Sequence, residues 1–535
     1  MICLNYEKIG KVIAWLGGIS LVVLLFIITK NSHLNSDDAF IPLIGQEIAH
    51  GNILLTNWVN SQYSNYFPNG IVAAFWAIFF NDLTIAHAMF IVTFTGYFFF
   101  LVYLIVGKII QLQTGETINS TTVALIVLSA AAVFINIHDA NDYQHQMTDV
   151  FCHFGSVLLA LSVVYLYYLR DKFDSFGKWT IVILLICWGS DYNYVYFLVP
   201  IIVENILHYI RTEKFDKRIC WVFLGMGLLY LRRYMLDGIG MSVPGYNPRG
   251  QTFIDYRDLP DAITLIFKQC SLLFAADFWG RRLNDVIPQI CFFGFFITAC
   301  YAAAVQFKRI RISYKGSTQD RFITFLLISM VCVITYHVMI RDIPSQEPRR
   351  FAGVAANLYI LLCFFVYDIP RKLSKREGLY IVLFIATLAL SIWSIHARSG
   401  FSQHPLLTER KQLAEFIKSD NLHYGYATFT NANALNYVVG KYIMADISSS
   451  NDIPRWDNWL IDHSVYHKSP FDFVVILKED RKRSIRFDRP MDDSSKVIKL
   501  FGEPVKTMET ENFKLFVYDY DLSSKMPDKP RLRSW

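Results

Sequence analysis

Asp37 and Asp38 stand side by side in the segment Asn35-Ser36-Asp37-Asp38-Ala39-Phe40, just beyond the first long apolar run. A carboxylate at a membrane boundary can take a proton from an acceptor hydroxyl, or hold a divalent cation. The same pair also suits a structural task, capping an interfacial helix that starts at Ala39 with Ser36 or Asp37 as N-cap. A second constellation comprises His138, Asp142, His145, Asp149 and His153, at intervals of four, three, four and four residues. On one α-helix that spacing makes a single polar stripe whose imidazoles and carboxylates can ligate a metal or bind sugar hydroxyls. The plainer reading is the solvated face of a loop helix. Ionisable residues beside a bilayer usually face a cavity or the bundle interior, which favours the functional stripe. Arginines form the third group, with Arg232-Arg233 after the seventh apolar run and Arg349-Arg350 in Gln346-Glu347-Pro348-Arg349-Arg350-Phe351. Guanidinium forks match phosphate oxygens, although arginines at an interface also snorkel to lipid headgroups. The substrate-phosphate reading is stronger for Arg349 and Arg350 than for Arg232 and Arg233.

Apolar runs must position these residues. Of the 535 residues, 53% are hydrophobic and 18% charged, and the apolar ones concentrate in runs of 11 to 23 residues that cease near residue 395. About 20 residues rising 1.5 Å each span a ~30 Å hydrocarbon layer, and the runs are too long for barrel strands. The expected spans are 12–29, 84–106, 121–137, 151–169, 179–189, 193–208, 219–231, 287–306, 322–340, 350–368 and 378–395. The fifth is short and interrupted by Gly189-Ser190-Asp191, the pattern of a broken helix. Residues 71–80 are too short to span, and are expected to lie at the interface or against the bundle.

Lys and Arg give the orientation. Nineteen lie at Lys8, Lys11, Lys108 and in segments 170–178, 211–218, 308–321 and 371–376, whereas segments 31–70 and 138–150 have none. The N-terminus is therefore expected in the cytoplasm and the segment from about 396 outside it. The first span reads as a retained helix, because no convincing cleavage site follows it. Cysteines lie mostly in or beside the apolar runs and form no CxxC pair, so they carry no disulfide or zinc signal. The net charge of +6 is spread between spans rather than gathered into a nucleic-acid patch.

Beyond residue 395 the pattern changes. A helical face appears around Thr408–Ser419, with Leu413, Phe416 and Ile417 together, and strand-like runs follow at Tyr424–Thr430, Phe471–Leu477 and Lys514–Tyr518. The chain thus divides into a transmembrane domain of residues 1–395 and a small α/β domain of residues 396–535.

The order of these features resembles the GT-C superfamily of polyprenyl-phosphate-sugar-dependent glycosyltransferases, among them protein O-mannosyltransferases and lipid A aminoarabinose transferases. The resemblance spans essentially the whole chain. It rests on Asp37-Asp38 after the first span, Gly51-Asn52 and the aromatic stretch to Pro68, Thr148-Asp149 before the fourth span, and Arg349-Arg350-Phe351. In the tail it rests on Tyr424-Gly425-Tyr426-Ala427-Thr428 and Asn431-Ala432-Asn433. The Lys-Pro-Pro element of the aminoarabinose transferases is replaced by Phe67-Pro68-Asn69, without the lysine, and the His-rich second loop is unusual.

The resemblance implies a polytopic α-helical GT-C membrane protein of about eleven transmembrane helices with a C-terminal extracytoplasmic α/β domain, in a bacterial cytoplasmic membrane. Its implied reaction is inverting transfer of one sugar from a polyprenyl-phosphate donor to an extracytoplasmic glycan or lipid-linked acceptor. Asp37 would be the base and Asp38 its partner. Arg349 and Arg350, with Arg232 and Arg233 as further candidates, would bind the departing phosphate. His138, Asp142, His145 and Asp149 would bind the acceptor, or a Mg²⁺ or Mn²⁺ ion held by Asp149 and His145. Two other classes fit less well. A lipid-linked sugar flippase or transporter calls for inverted repeats and charges deep in the spans, and few charges lie there. A polysaccharide polymerase or ligase places catalytic arginines and histidine in one large late loop.

Overall fold

The computed structural model describes residues 6–32, 36–55, 58–59, 66–115, 119–138, 150–188, 194–238, 256–276, 286–339, 351–368, 376–450, 453–456, 461–478 and 493–526. Each expected span coincides with a helix or a helix and its continuation. Among the described residues, five helices are long and apolar enough to cross a membrane unaided: α1 (Tyr6–Asn31), α4 (Leu83–Thr114), α11 (Val286–Ser313), α12 (Thr318–Met339) and α14 (Arg376–Ala397). The others are shorter. α5 (Ser120–Phe134) is prolonged by a 3-10 turn, Ile135–His138, and α6 (Val150–Val164) by a π-helical turn, Tyr165–Leu169. α7 (Ser175–Trp188) and α8 (Val199–Thr212), the latter entered through a π-helical turn at Tyr194–Leu198, flank the interruption at Gly189-Ser190-Asp191. α9 (Ile219–Gly238) and α13 (Ala352–Asp368) complete the set.

The sequence shows why α1 belongs in lipid. Its seam of Gly10, Gly17, Leu21, Leu25 and Ile28 is buried at helical spacing, while Val12, Trp15, Leu16, Ile19, Val22 and Val23 on the other faces are exposed. A helix apolar all round, with half of that surface facing outward, has hydrocarbon as its solvent. Helix ends are closed locally. Asp82 accepts from the Thr84 amide at 2.8 Å to start α4, and Gly115 at φ 69° ends it.

The two short helices of the first connection are α2 (Ser36–Ala49) and α3 (Ile71–Phe79), the latter packed on α2 and α4 with Phe75, Ile78 and Phe79 exposed. α10 (Leu259–Leu272) is a further helix inside the expected long loop.

A small α/β unit follows α14. Its helices are α15 (Pro405–Ser419), α16 (Phe429–Val439) and α17 (Ser494–Phe501). Two short strands, β1 (Trp58–Val59) and β5 (Ile461–Asp462), pair antiparallel, so the first connection and the tail share a ladder. The main sheet contains β2 (Tyr424–Ala427), β3 (Met444–Ser450), β4 (Ile453–Trp456), β6 (Phe471–Leu477), β7 (Lys506–Glu509) and β8 (Phe513–Val517), in the order β4-β3-β2-β6-β8-β7. β2 runs parallel to β3 and β6, and the outer pairings are antiparallel. Helices cover both faces of β6. Val474 and Ile476 enter a core with Tyr426 and Phe501, whereas Phe473, Val475 and Leu477 enter one with Leu413, Ile417 and Leu435.

Helix α15, β6 and β8 agree with the sequence expectation. Tyr424–Thr430 does not remain a strand, because β2 stops at Ala427 and α16 begins at Phe429. Thr428, extended at φ −70° and ψ 157°, makes the turn between them, and its hydroxyl accepts from the Asn431 side chain at 3.3 Å. One charge pair is buried where α8 meets α12. Glu204 in α8 is fully buried, and Arg321 in α12 holds it with paired hydrogen bonds of 2.9 Å.

Candidate functional site

Helix α2 carries the acidic pair. It begins at Ser36, three residues before the expected start, so Asp37 and Asp38 lie inside its first turn rather than ahead of it. The N-cap position falls outside the described residues, and neither Ser36 nor Asp37 occupies it. Unsatisfied backbone N–H groups at a helix start favour negative charge there. Pro42 sits inside the helix and has no N–H to offer the carbonyl of Asp38, which loosens the turn bearing the pair. Gly51, at φ 98°, closes the far end, and the Asn52 amide returns to the Glu47 carbonyl at 3.0 Å.

Two contacts fix α2 in space. A Cβ on Gly45 would stand 2.6 Å from the Ala73 Cβ and 2.8 and 2.9 Å from the Ala73 and Ala74 backbone, so only glycine lets α2 lie this close to α3. The opposite face, Phe40, Leu43 and Ile44, packs with Leu55, Trp58 and Tyr437 in a core shared with α16 of the tail. Trp58 stands edge-on to Phe40 and to Tyr442, at 5.5 and 5.1 Å between ring centres. Gln46 donates to the Gly440 carbonyl at 3.0 Å, and the His404 amide donates to the Asn31 carbonyl at 2.9 Å. The tail therefore braces the helix that carries the two carboxylates.

Glu47 and Asp462 meet along this junction. Burial raises the Glu47 carboxyl above its ordinary range against the hydrogen bond from Asn52, and the neighbouring Asp462 charge adds to the rise. Burial likewise raises Asp462, against the two hydrogen bonds it accepts from Ser464 at 2.6 and 2.8 Å.

His138 ends the 3-10 turn after α5, and His153 lies in α6, which starts at Val150. Asp142, His145 and Asp149 lie outside the described residues, and so do Arg349 and Arg350. The expected continuous stripe through residues 138–153 therefore has only its two ends described. Among the described residues, no group of three His, Cys, Asp or Glu side chains is arranged to hold a metal. Arg232 and Arg233 do not follow the seventh span. α9 runs through both to Gly238, and Arg232 Nη1 donates to the Ile186 and Cys187 carbonyls at 2.6 and 3.0 Å, closing the end of α7.

The sequence carries no local signal of the roles of Tyr442, Glu47 and Asp462, which tertiary contact brings to this junction. Gly45 in a helix-forming run, between Pro42 and Gln46, was the one available signal of a close helix approach.

No protein-family model matches the chain, and no curated protein matches it. Solved structures do match. ArnT from Cupriavidus metallidurans in the apo state is similar over 96% of this chain and 98% of that one, with a TM-score of 0.56 and 10% sequence identity. ArnT from the same organism bound to undecaprenyl phosphate gives a TM-score of 0.55 with the same identity and coverage. The fold is shared. The fold of those structures, a helical bundle with a small C-terminal sheet unit, is thus the architecture of this chain, along essentially its full length.

Proposed function

We propose that the protein is a membrane glycosyltransferase that moves one sugar from a polyprenyl-phosphate donor to an extracytoplasmic acceptor, a cell-envelope glycan or a lipid-linked polysaccharide. The observation that carries this reading is the full-length likeness to a structure bound to undecaprenyl phosphate. The acidic pair in the first turn of a braced helix supports it. In this reading the transmembrane domain of residues 1–395 lies in a bacterial cytoplasmic membrane with its N-terminus inside, and the α/β domain of residues 396–535 lies outside.

Asp37 takes the proton of the acceptor hydroxyl as that oxygen attacks the anomeric carbon from the face opposite the phosphate. The bond between the anomeric carbon and the phosphate oxygen breaks, and polyprenyl phosphate leaves with the bonding electrons, which inverts the configuration. Asp38 is the partner carboxylate. Arg349 and Arg350 stabilise the charge on the departing phosphate, with Arg232 and Arg233 the weaker candidates. His138, Asp142, His145 and Asp149 orient the acceptor, with Asp149 and His145 the candidate holders of Mg²⁺ or Mn²⁺.

Mass analysis of envelope glycans from cells with and without the protein tests the reading. Loss of one sugar from one glycan class, restored by the purified protein with a polyprenyl-phosphate sugar, is the expected result. Identical glycan masses in the two cells, with no release of polyprenyl phosphate in vitro, would overturn it.

A further inference from the structure

Three parts of the chain meet on Tyr442, which follows α16 and precedes β3. Its hydroxyl donates to the Asn433 side chain of α16 at 2.6 Å and accepts from the Asp462 amide of β5 at 3.3 Å. Its ring meets Trp58 of β1 at an interplanar angle of 73°. Asp462 and Trp58 are themselves opposed in the ladder of β1 with β5. Tyr442 therefore holds the tail by two hydrogen bonds and the first connection by an aromatic contact.

Trp58 carries that hold to α2. It is 4% exposed, and its indole N–H finds no hydrogen-bond partner among the described residues. A buried donor left unpaired is unfavourable, so packing alone sets where this ring lies. Its second ring contact is with Phe40. Ala39 and Phe40 are fully buried and follow Asp38 directly in α2. The line from Tyr442 through Trp58 to Phe40 thus ends within one helical turn of both carboxylates. Pro42 removes a backbone hydrogen bond from that turn, so an outside hold is needed to fix the pair.

We propose that Tyr442 is a positioning residue for sugar transfer. It fixes Trp58, and through Trp58 and Phe40 it fixes the acidic pair, so the tail governs the rate of the chemical step and not the affinity for substrates. The proposal rests on the transferase reading above and adds what the tail does in it. The role requires the hydroxyl, which ties the ring to α16 and β5 at once.

The test uses the full-length protein in proteoliposomes, with the donor and acceptor identified by the glycan comparison. Tyr442→Phe keeps the ring and loses the hydroxyl. It should lower kcat about 10- to 100-fold with both KM values unchanged, since misplacing a reacting group by ~1 Å costs up to about 10²-fold. Asn433→Ala breaks the same bond from the other partner and should act likewise. In a Trp58→Leu background the hydroxyl has nothing to act through, so adding Tyr442→Phe should change kcat by no more than about twofold. Tyr518→Phe removes a hydroxyl in the core of the tail and should leave kcat unchanged. Hydrogen exchange of α2, measured without substrates, should quicken in Tyr442→Phe while that of β6 holds.

A raised acceptor KM with kcat kept would make the tail an acceptor-binding unit and overturn the proposal. Losses that add in the Trp58→Leu background, or exchange that quickens throughout the tail, would do the same. If Tyr442→Phe fails to insert, Asn433→Ala carries the same comparisons. Faster α2 exchange in variants of a protein that transfers no sugar would sink the transferase reading and keep the hold. Normal transfer with normal α2 exchange in Tyr442→Phe would sink the hold and keep that reading.

Discussion

Replacing Arg321 by methionine should destabilise the bundle more than any substitution at an exposed charge. Arg321 and Glu204 have side chains 6% and 0% exposed, so the pair is withdrawn from solvent. The guanidinium donates to both Glu204 carboxylate oxygens at 2.9 Å, to Asp216 at 2.6 Å and to the Asn205 side chain at 3.1 Å. It thereby joins α8, α12 and the turn before α9. Methionine keeps the unbranched stem, ends short of the guanidinium and removes all four bonds, leaving Glu204, among the described residues, with Tyr168 at 2.6 Å and Asn205 at 3.3 Å. Removing one partner of such a pair costs about 3–5 kcal/mol, because the other charge stays buried. Asp216 keeps its bidentate contact with Arg218, from Nε to Oδ1 at 2.9 Å and from Nη2 to Oδ2 at 2.7 Å, so the damage should centre on Glu204. The double substitution Glu204→Met with Arg321→Met removes the orphaned charge and should recover at least half of the loss. Equilibrium unfolding in detergent, followed by tryptophan fluorescence, measures both. A single-variant cost below about 1 kcal/mol, or a double variant no better than the single, would refute the reasoning.

The contact of α2 with α3 predicts that Gly45→Val displaces the acidic pair. Overpacking against backbone costs about 1–3 kcal/mol, and a shift near 1 Å lowers the transfer rate about 10²-fold; an unchanged rate would show that α2 does not position the chemistry. At the junction, the raised carboxyls of Glu47 and Asp462 bind protons more tightly folded than unfolded. Their contribution is complete below the ordinary carboxylate range and is lost as pH rises through the raised values. Hydrogen exchange at α16 should therefore accelerate over that rise, and Glu47→Gln with Asp462→Asn should flatten the profile; a slope that survives both changes belongs to other groups. If His145 and Asp149 hold a cation, chelation should abolish transfer and Mg²⁺ or Mn²⁺ restore it, whereas full activity in chelator leaves the stripe an acceptor site.

Long apolar runs made the bundle legible, since hydrocarbon solvent leaves a backbone few choices and the residue types record it directly. The same holds for β6, where the apolar run Phe473-Val474-Val475-Ile476-Leu477 signals burial on both faces. What escaped is what tertiary contact decides. Tyr424–Thr430 has strand composition, but α16 forms because its face fits α2, through Tyr437 against Phe40 and Trp58. Glu204 lies in an apolar helix, and its partner Arg321 is 117 residues away, so no local pattern could join them. Asp37 and Asp38 were visible as a pair, yet the brace around them comes from residues 404–462, which no spacing rule connects to them. Arg232 shows how a residue type leaves its partner open, since a guanidinium fits a phosphate and its Nη1 also serves the carbonyl end of α7.

The central claim is that Asp37 is the base for sugar transfer, and Asp37→Asn tests it most directly. Purified variant in proteoliposomes, supplied with a polyprenyl-phosphate sugar and the acceptor identified from the envelope analysis, is assayed for release of polyprenyl phosphate. Asparagine keeps the shape and much of the hydrogen bonding but cannot accept the proton, so the rate should fall about 10²- to 10⁴-fold while donor binding and insertion stay normal. In the first turn a purely structural Asp37 contributes only the attraction of its charge to the helix start, about 0.3–1 kcal/mol of stability, so that role predicts almost no loss of rate. Asp38→Asn, measured alongside, should retain more activity than Asp37→Asn. Near-normal release from Asp37→Asn with Asp38→Asn inactive would move the base one residue along, and near-normal release from both would contradict the account.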